Sequence, residues 1–319
     1  MTTERLADAV AAAGPLLGTA PEAVAEALGW RALRDFGGDG VVADAGVADV
    51  HLRGRLAVTE VRATLVSTPD GRASIVDAFA DAAAALRQRF GSPASERPGA
   101  WPAVTWRLPR IRGSGLLWRR RHATLTLCYS PDARGVELAV RSDDEADRLA
   151  AAAVAAAARA ETAASPPPPG GWADGDWARF TDTLTAELAD LEPDHVVILA
   201  DRTASDAYVQ FMQFEQYSPP YLTAETISDH FRDDHRQLTP DQRQRLTALG
   251  WEPPDGAANW TRHLEWPARW DGYHRLADLT VATLRDVHGT RSPADLVLGG
   301  WGYDHTRPPP FPRLGLATR

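Results

Sequence analysis

The sequence predicts an α+β fold of two tandem domains, each a mainly antiparallel sheet packed by helices. Three observations carry this expectation. Helical and strand-like segments come in groups rather than in strict alternation, which disfavours a parallel sheet. The run 165-SPPPPGG-171 forbids helix and favours an extended spacer, and it divides the 319 residues into halves of ordinary domain size. Both halves also repeat one rhythm: a helix, a three-strand meander, a helix, further strands and a closing helix. The expected boundaries are 1–164 for the first domain, 165–171 for the linker, 172–305 for the second domain and 306–319 for a flexible tail.

In the first half, 21-PEAVAEALGW-30 has helical spacing with proline at its start. Segments 31-RALRDF-36 and 41-VVADAG-46 flank GGDG, a hairpin signal. Apolar and polar residues alternate through 47–66, which predicts two strands with Gly54 near their turn. A helix over 73–90 is ended by Gly91. Strands follow at 102–109, 123–130 and 135–142, and a long helix with an acidic first turn is expected over Asp143 to Ala164.

In the second half, Trp177, Phe180, Leu184, Leu188 and Leu191 form one stripe of an amphipathic helix. Strands are expected at 195-HVVILA-200, at 207-AYVQFMQF-214 and near 221-YLTAETISDHF-231. A helix then runs from Pro240 to Leu249, a strand over 259-NWTRHLEW-266 and a last helix from Arg269 to His288. The glycines of 298-LGGWG-302 precede no helix, and 307-RPPPFPRLGLATR-319 reads as mobile and partly polyproline-like.

Composition removes whole classes of mechanism. All 34 basic residues are arginine, so there is no phosphate-binding lysine of the Walker kind, no Schiff-base lysine and no lysine general base. Cys128 is the one cysteine, which rules out an intrachain disulfide and a cysteine zinc site and suits a reducing cytoplasm. A net charge of -9 argues against general affinity for nucleic acid or anionic membrane. No apolar run reaches the ~18 residues of a membrane span, and the first twenty residues lack the basic start of a signal peptide.

Four candidate chemistries arise. His230, Asp233, Asp234 and His235 crowd one stretch and raise the alternative of a metal-dependent hydrolase. The two histidines stand five apart, however: roughly 140° apart on a helix and on opposite faces of a strand. Neither geometry converges them on one ion, and the stretch reads better as a strand end and acidic loop before the helix cap Thr239-Pro240-Asp241. The glycines of 37-GGDGVVA-43 lead into strand, not helix, so they read as a turn rather than a dinucleotide loop. Ser114 lacks the spacing of a nucleophile elbow. The loop 107–122 sets Arg110, Arg112, Arg119, Arg120 and Arg121 around an apolar tip with Trp118, a pattern that suits a solvated hairpin first, an acidic peptide partner second, and nucleic acid or a lipid surface last.

Segments 207-AYVQFMQ-213, 224-AETISDHF-231, 249-LGWEPP-254, 259-NW-260 and 283-TLRDVHG-289 stand in an order and spacing that resemble the bacterial TY-Chap domains. These are predicted peptide-binding chaperones related to YbjN and to type III secretion chaperones. Asp229 stands where asparagine or glycine is expected, and His288 where an aromatic is usual. The resemblance covers about 177–296, and the first half is more weakly similar to a related YbjN-like domain. It implies two tandem secretion-chaperone-like domains with no enzymatic activity and no cofactor, whose partner is a client peptide or protein segment. It also implies either a monomer that imitates a dimer internally or a homodimer. An immunity or regulatory protein bound to one specific protein would use the same chemistry. Such a sheet would hold a client strand at an open edge through backbone hydrogen bonds and on its face through apolar side chains, where strand alternation marks Tyr208, Gln210 and Met212, with Trp260 and His263 on another strand, as candidate contacts.

Overall fold

A computed structural model describes residues 3–35, 40–46, 48–54, 57–67, 71–108, 123–130, 135–142, 171–193, 195–204, 206–232, 236–256, 258–302 and 311–318. The chain divides into two compact units, each built on its own sheet.

The first unit begins with helices α1 (Thr3–Ala12) and α2 (Pro21–Leu28). Strands β1 (Arg31–Asp35), β2 (Gly40–Asp44), β3 (Asp49–Arg53) and β4 (Glu60–Ser67) form an antiparallel meander. Helix α3 (Arg72–Phe90) then crosses to a second meander of β5 (Ser95–Arg97), β6 (Ala103–Arg107), β7 (Ala123–Tyr129) and β8 (Gly135–Ser142). Strand β8 returns beside β4, which joins the halves into one eight-stranded sheet of order β1-β2-β3-β4-β8-β7-β6-β5. Gly54 bends the chain after β3 at φ +102, where a Cβ would lie 2.0 Å from the Ala57 carbonyl oxygen, so only glycine fits. Leu6 and Val10 of α1 and Phe79, Ala83 and Leu86 of α3 are buried over Val50, Leu52, Val61, Leu125, Leu127, Leu138 and Val140.

The sheet's second face is ionic. Glu60 is 1% exposed and accepts from Arg62 Nε at 2.6 Å and from Arg141 Nε at 2.9 Å, while Arg62 Nη1 reaches Glu137 at 2.9 Å. Burial works to raise the Glu60 pKa, but the hydrogen bonds and charges of Arg141 and Arg62 outweigh it and hold the carboxyl below its usual range. Cys128 shares this face, opposite Glu137. Burial pushes its thiol pKa up, which disfavours the nucleophilic thiolate.

In the second unit, α4 (Trp177–Ala189) leads to a meander of β9 (His195–Asp201), β10 (Tyr208–Phe214) and β11 (Tyr221–Thr226). Helix α5 (Pro240–Leu249) carries the expected cap: Thr239 Oγ1 accepts from the Gln242 amide at 3.2 Å, and the Gln242 side chain accepts from the Thr239 amide at 2.9 Å. Strand β12 (Trp260–Glu265) pairs with β11, and α6 (Trp270–Ala282) ends in a π-helical turn, Thr283–Val287. Phe180, Leu184 and Leu188 of α4 and Tyr273 and Leu276 of α6 are buried with Val197, Leu199, Val209, Phe211, Leu222 and Ala224. All of these strand residues lie on one face of the sheet.

Residues Leu296–Gly302, whose glycines precede no helix, form β13, paired antiparallel with β9 along its whole length. Phe311 and Leu314 are each 1% exposed, and β14 (Ala317–Thr318) lies parallel to Val297 and Leu298. Proline-rich composition disfavours regular backbone pairing, but it does not prevent apolar anchors from entering a core. Trp172 Nε1 donates to the Leu314 carbonyl at 2.7 Å, and the buried Glu187 carboxyl accepts from the Arg313 amide at 2.5 Å. Burial raises the Glu187 pKa to about 7 against the pull of the Arg313 guanidinium. The complete sheet order is β12-β11-β10-β9-β13-β14. The helix expected over Asp143 to Ala164 lies outside the described residues.

Candidate functional site

Strand β10 decides the site. Its period of two buries Val209, Phe211 and Gln213 and turns Tyr208, Gln210, Met212 and Phe214 to the other face, where each is half-buried. Register extends this face across the sheet. One row runs Ile198, Gln210, Glu225, Thr261; the next runs Val196, Met212, Thr223, His263; a third joins Phe214, Tyr221 and Glu265.

The face has an apolar middle, an aromatic end and a polar ladder. Val196, Ile198 and Met212 are half-buried and adjacent. Phe214, Tyr217 and Tyr221 form a ring cluster with centroids 5.1–5.9 Å apart, and His263 stands edge-on to Tyr221 at 5.2 Å. Tyr217 is 52% exposed. Gln210 donates to Glu225 at 2.7 Å, and Asn259 donates to the same oxygen at 3.1 Å. Thr223 Oγ1 lies 2.9 Å from His263 Nδ1. Burial raises the pKa values of Tyr208 and Tyr221, so both keep their phenolic protons and remain potential donors. The arrangement offers broad contact with a few fixed polar points. Its two carboxylates, Glu225 and Glu265, are not accompanied on these rows by an arginine.

Of the five residues marked as contacts by sequence alternation, Tyr208, Gln210, Met212 and His263 share this face. Trp260 does not. It pairs with Thr226 on the helix-covered face and is 6% exposed, so its indole belongs to the core. Sequence reasoning missed Tyr221 and Tyr217, although the alternation of 221-YLTAET-226 and the neighbouring aromatics carry a signal for them.

The stretch 224–235 is divided by the structure. Strand β11 ends at Thr226, and Asp229–Phe231 form a 3-10 turn. Asp229 accepts from the Leu238 amide at 2.6 Å and from Arg243 Nε at 2.9 Å, so its carboxylate holds the approach to α5. His230 is exposed and packs edge-on against Phe231. Asp233, Asp234 and His235 lie outside the described residues, as do Arg110, Arg112, Trp118, Arg119, Arg120 and Arg121. Among the described residues, no group of three or more His, Cys, Asp and Glu side chains is placed to hold a metal ion.

His288 plays a structural part behind this turn. Its Nε2 lies 2.9 Å from Thr226 Oγ1, and its Nδ1 lies 3.4 Å from Arg232 Nη2. Burial first, and the Arg232 charge second, push its pKa down to about 3. Unfolded chain binds a proton at this histidine below its ordinary value of 6.5, whereas folded chain does so only near 3. Its stabilising contribution is therefore complete above the unfolded value and is lost as pH falls between them. Thermal or urea unfolding should show the native chain losing about 2 kcal/mol more stability than His288→Phe between pH 7 and pH 5. Equal losses would contradict the assignment.

This geometry defines a class: an α+β protein with a mixed apolar and polar sheet face that, among the described residues, no helix covers. The family comparison is more specific. Residues 171–302 match TY-Chap3, described as the T3SS (YopN, CesT) and YbjN peptide-binding chaperone 3. The resemblance read from the second half is thereby shown: that half is similar to a family described as peptide-binding chaperones. Residues 8–114 match DUF6301, a family of unknown function. No curated protein and no solved structure matches the chain. Among the described residues, no helix is long and apolar enough to cross a membrane.

Proposed function

We propose that this protein is a non-enzymatic, cofactor-free chaperone or adaptor of the cytoplasm that holds an extended segment of a client polypeptide on the open face of the second sheet. The observation that carries the reading is the continuous surface of half-buried Val196, Ile198, Tyr208, Gln210, Met212, Phe214 and Tyr221, with exposed His263 beside them. Such a surface supplies area-driven affinity without demanding one sequence. The hydrogen-bonded Gln210–Glu225–Asn259 ladder offers polar points for a client backbone. The matched family's description supports the same reading.

The test is a fluorescence-anisotropy titration of labelled, reduced and carboxymethylated lactalbumin, a permanently unfolded chain, into the full-length protein. Saturable binding with a Kd of about 1–100 μM is expected, as befits weak and sequence-tolerant recognition. No binding to this probe, nor to a peptide array spanning varied extended sequences, would contradict the proposal.

A further inference from the structure

The two edges of the second sheet are unlike. Strand β12 ends one side, and its exposed Arg262, His263 and Glu265 put charged and polar side chains along that edge, a common guard against strand addition. On the other side, β13 pairs with β9 over all seven residues, from Leu296 to Gly302. Its outer edge is met by β14 only at Val297 and Leu298. Among the described residues, Gly299 to Gly302 have no strand on that outer side.

This bare stretch is rich in glycine. Gly300 has φ +146, and a Cβ there would lie 2.1 Å from the Val196 carbonyl oxygen, so that position requires glycine. Gly299 is different: a Cβ would find its nearest neighbour, Ile198 Cβ, at 3.8 Å. A glycine with room around it leaves space for another chain's side chain. Gly299 also sits in register with Ile198, so that space opens onto the apolar middle of the open face.

The segment already seated at this edge belongs to the same chain, at Ala317–Thr318. Its anchors stop at Leu314: Phe311 and Leu314 are buried, and Glu187 and Trp172 bind the backbone at Arg313 and Leu314. Gly315 then turns the chain through a left-handed conformation at φ 57. Beyond it, Ala317 and Thr318 are exposed and make a two-residue parallel pairing, a short form of the weaker ladder type.

We propose that the outer edge of β13 is where a client strand adds to the sheet, and that Leu316–Thr318 is a built-in competitor displaced when it does. The occupant is an extended polypeptide segment with apolar residues at alternate positions. Its backbone pairs along Val297–Gly302, which includes the two residues β14 holds, and its side chains lie beside Ile198. This inference rests on the peptide-holding reading and specifies where and against what the client binds.

The test measures the affinity of labelled, reduced and carboxymethylated lactalbumin for three full-length-derived proteins: the native chain, a variant lacking Leu316–Arg319, and Gly299→Asp. Loss of the competing strand should tighten binding about fivefold. A charge on the docking edge should weaken it about tenfold, with Tm unchanged because the position has room. If Gly299→Asp lowers Tm, the truncation alone decides. Equal affinity of the native and truncated chains, or weaker binding after truncation, overturns the proposal but leaves client holding intact. Binding by none of the three removes both.

Discussion

Phe211→Ala should destabilise the second domain by about 3–5 kcal/mol in urea unfolding, the largest effect expected of a single truncation there. Phe211 is fully buried in the middle of β10, between Val197 on β9 and Ala224 on β11. Ladders on both sides fix the backbone, so the cavity left by the ring cannot close by moving the strand. Its ring also meets Phe311 with centroids 6.0 Å apart. Truncation therefore loosens the tail's main anchor, and proteolysis near the C-terminus should quicken in the same variant. A loss below about 1 kcal/mol would mean that this core collapses freely, contrary to the packing described.

The second large effect is expected in the first domain. Glu60→Ala should cost about 3–5 kcal/mol, because it leaves Arg62 and Arg141 in a buried setting without their shared carboxylate. Glu137 compensates only in part, since the ion pair it makes at 2.9 Å is with Arg62. Converting Glu60 and Arg141 together to methionine should cost far less, because the desolvation cost of both charges disappears with their attraction. The Glu60 pKa is lowered on folding, so this stabilisation is present above the unfolded carboxylate range and is lost as pH falls through the folded value. A Glu60→Ala variant as stable as the native chain at pH 7 would contradict the account.

Sequence made local periodicity legible and left partner choice hidden. The alternation of 208-YVQFMQF-214 identifies a strand with two chemically distinct faces, and the structure has both. Thr239, Pro240 and Gln242 announce the start of α5 through capping chemistry that needs no distant partner. Strand β13 was illegible for the opposite reason. Three of its seven residues are glycine, and its partner β9 lies about a hundred positions upstream, so tertiary pairing overrides weak local preference. The ionic face of the first sheet likewise emerges only when β4 and β8 are placed side by side. Trp260 was a different error. It stands three residues from His263, and an odd spacing on a strand puts side chains on opposite faces, so the period itself separates the two.

The most direct test of the central claim locates a bound client by photo-crosslinking. Benzoylphenylalanine is placed at Met212 on the open face or, in a second protein, at Arg275 on the exposed side of α6, with labelled, reduced and carboxymethylated lactalbumin as the client. The account predicts a covalent adduct on irradiation from Met212 and none from Arg275. Adducts formed equally from both positions, or only from Arg275, would contradict it.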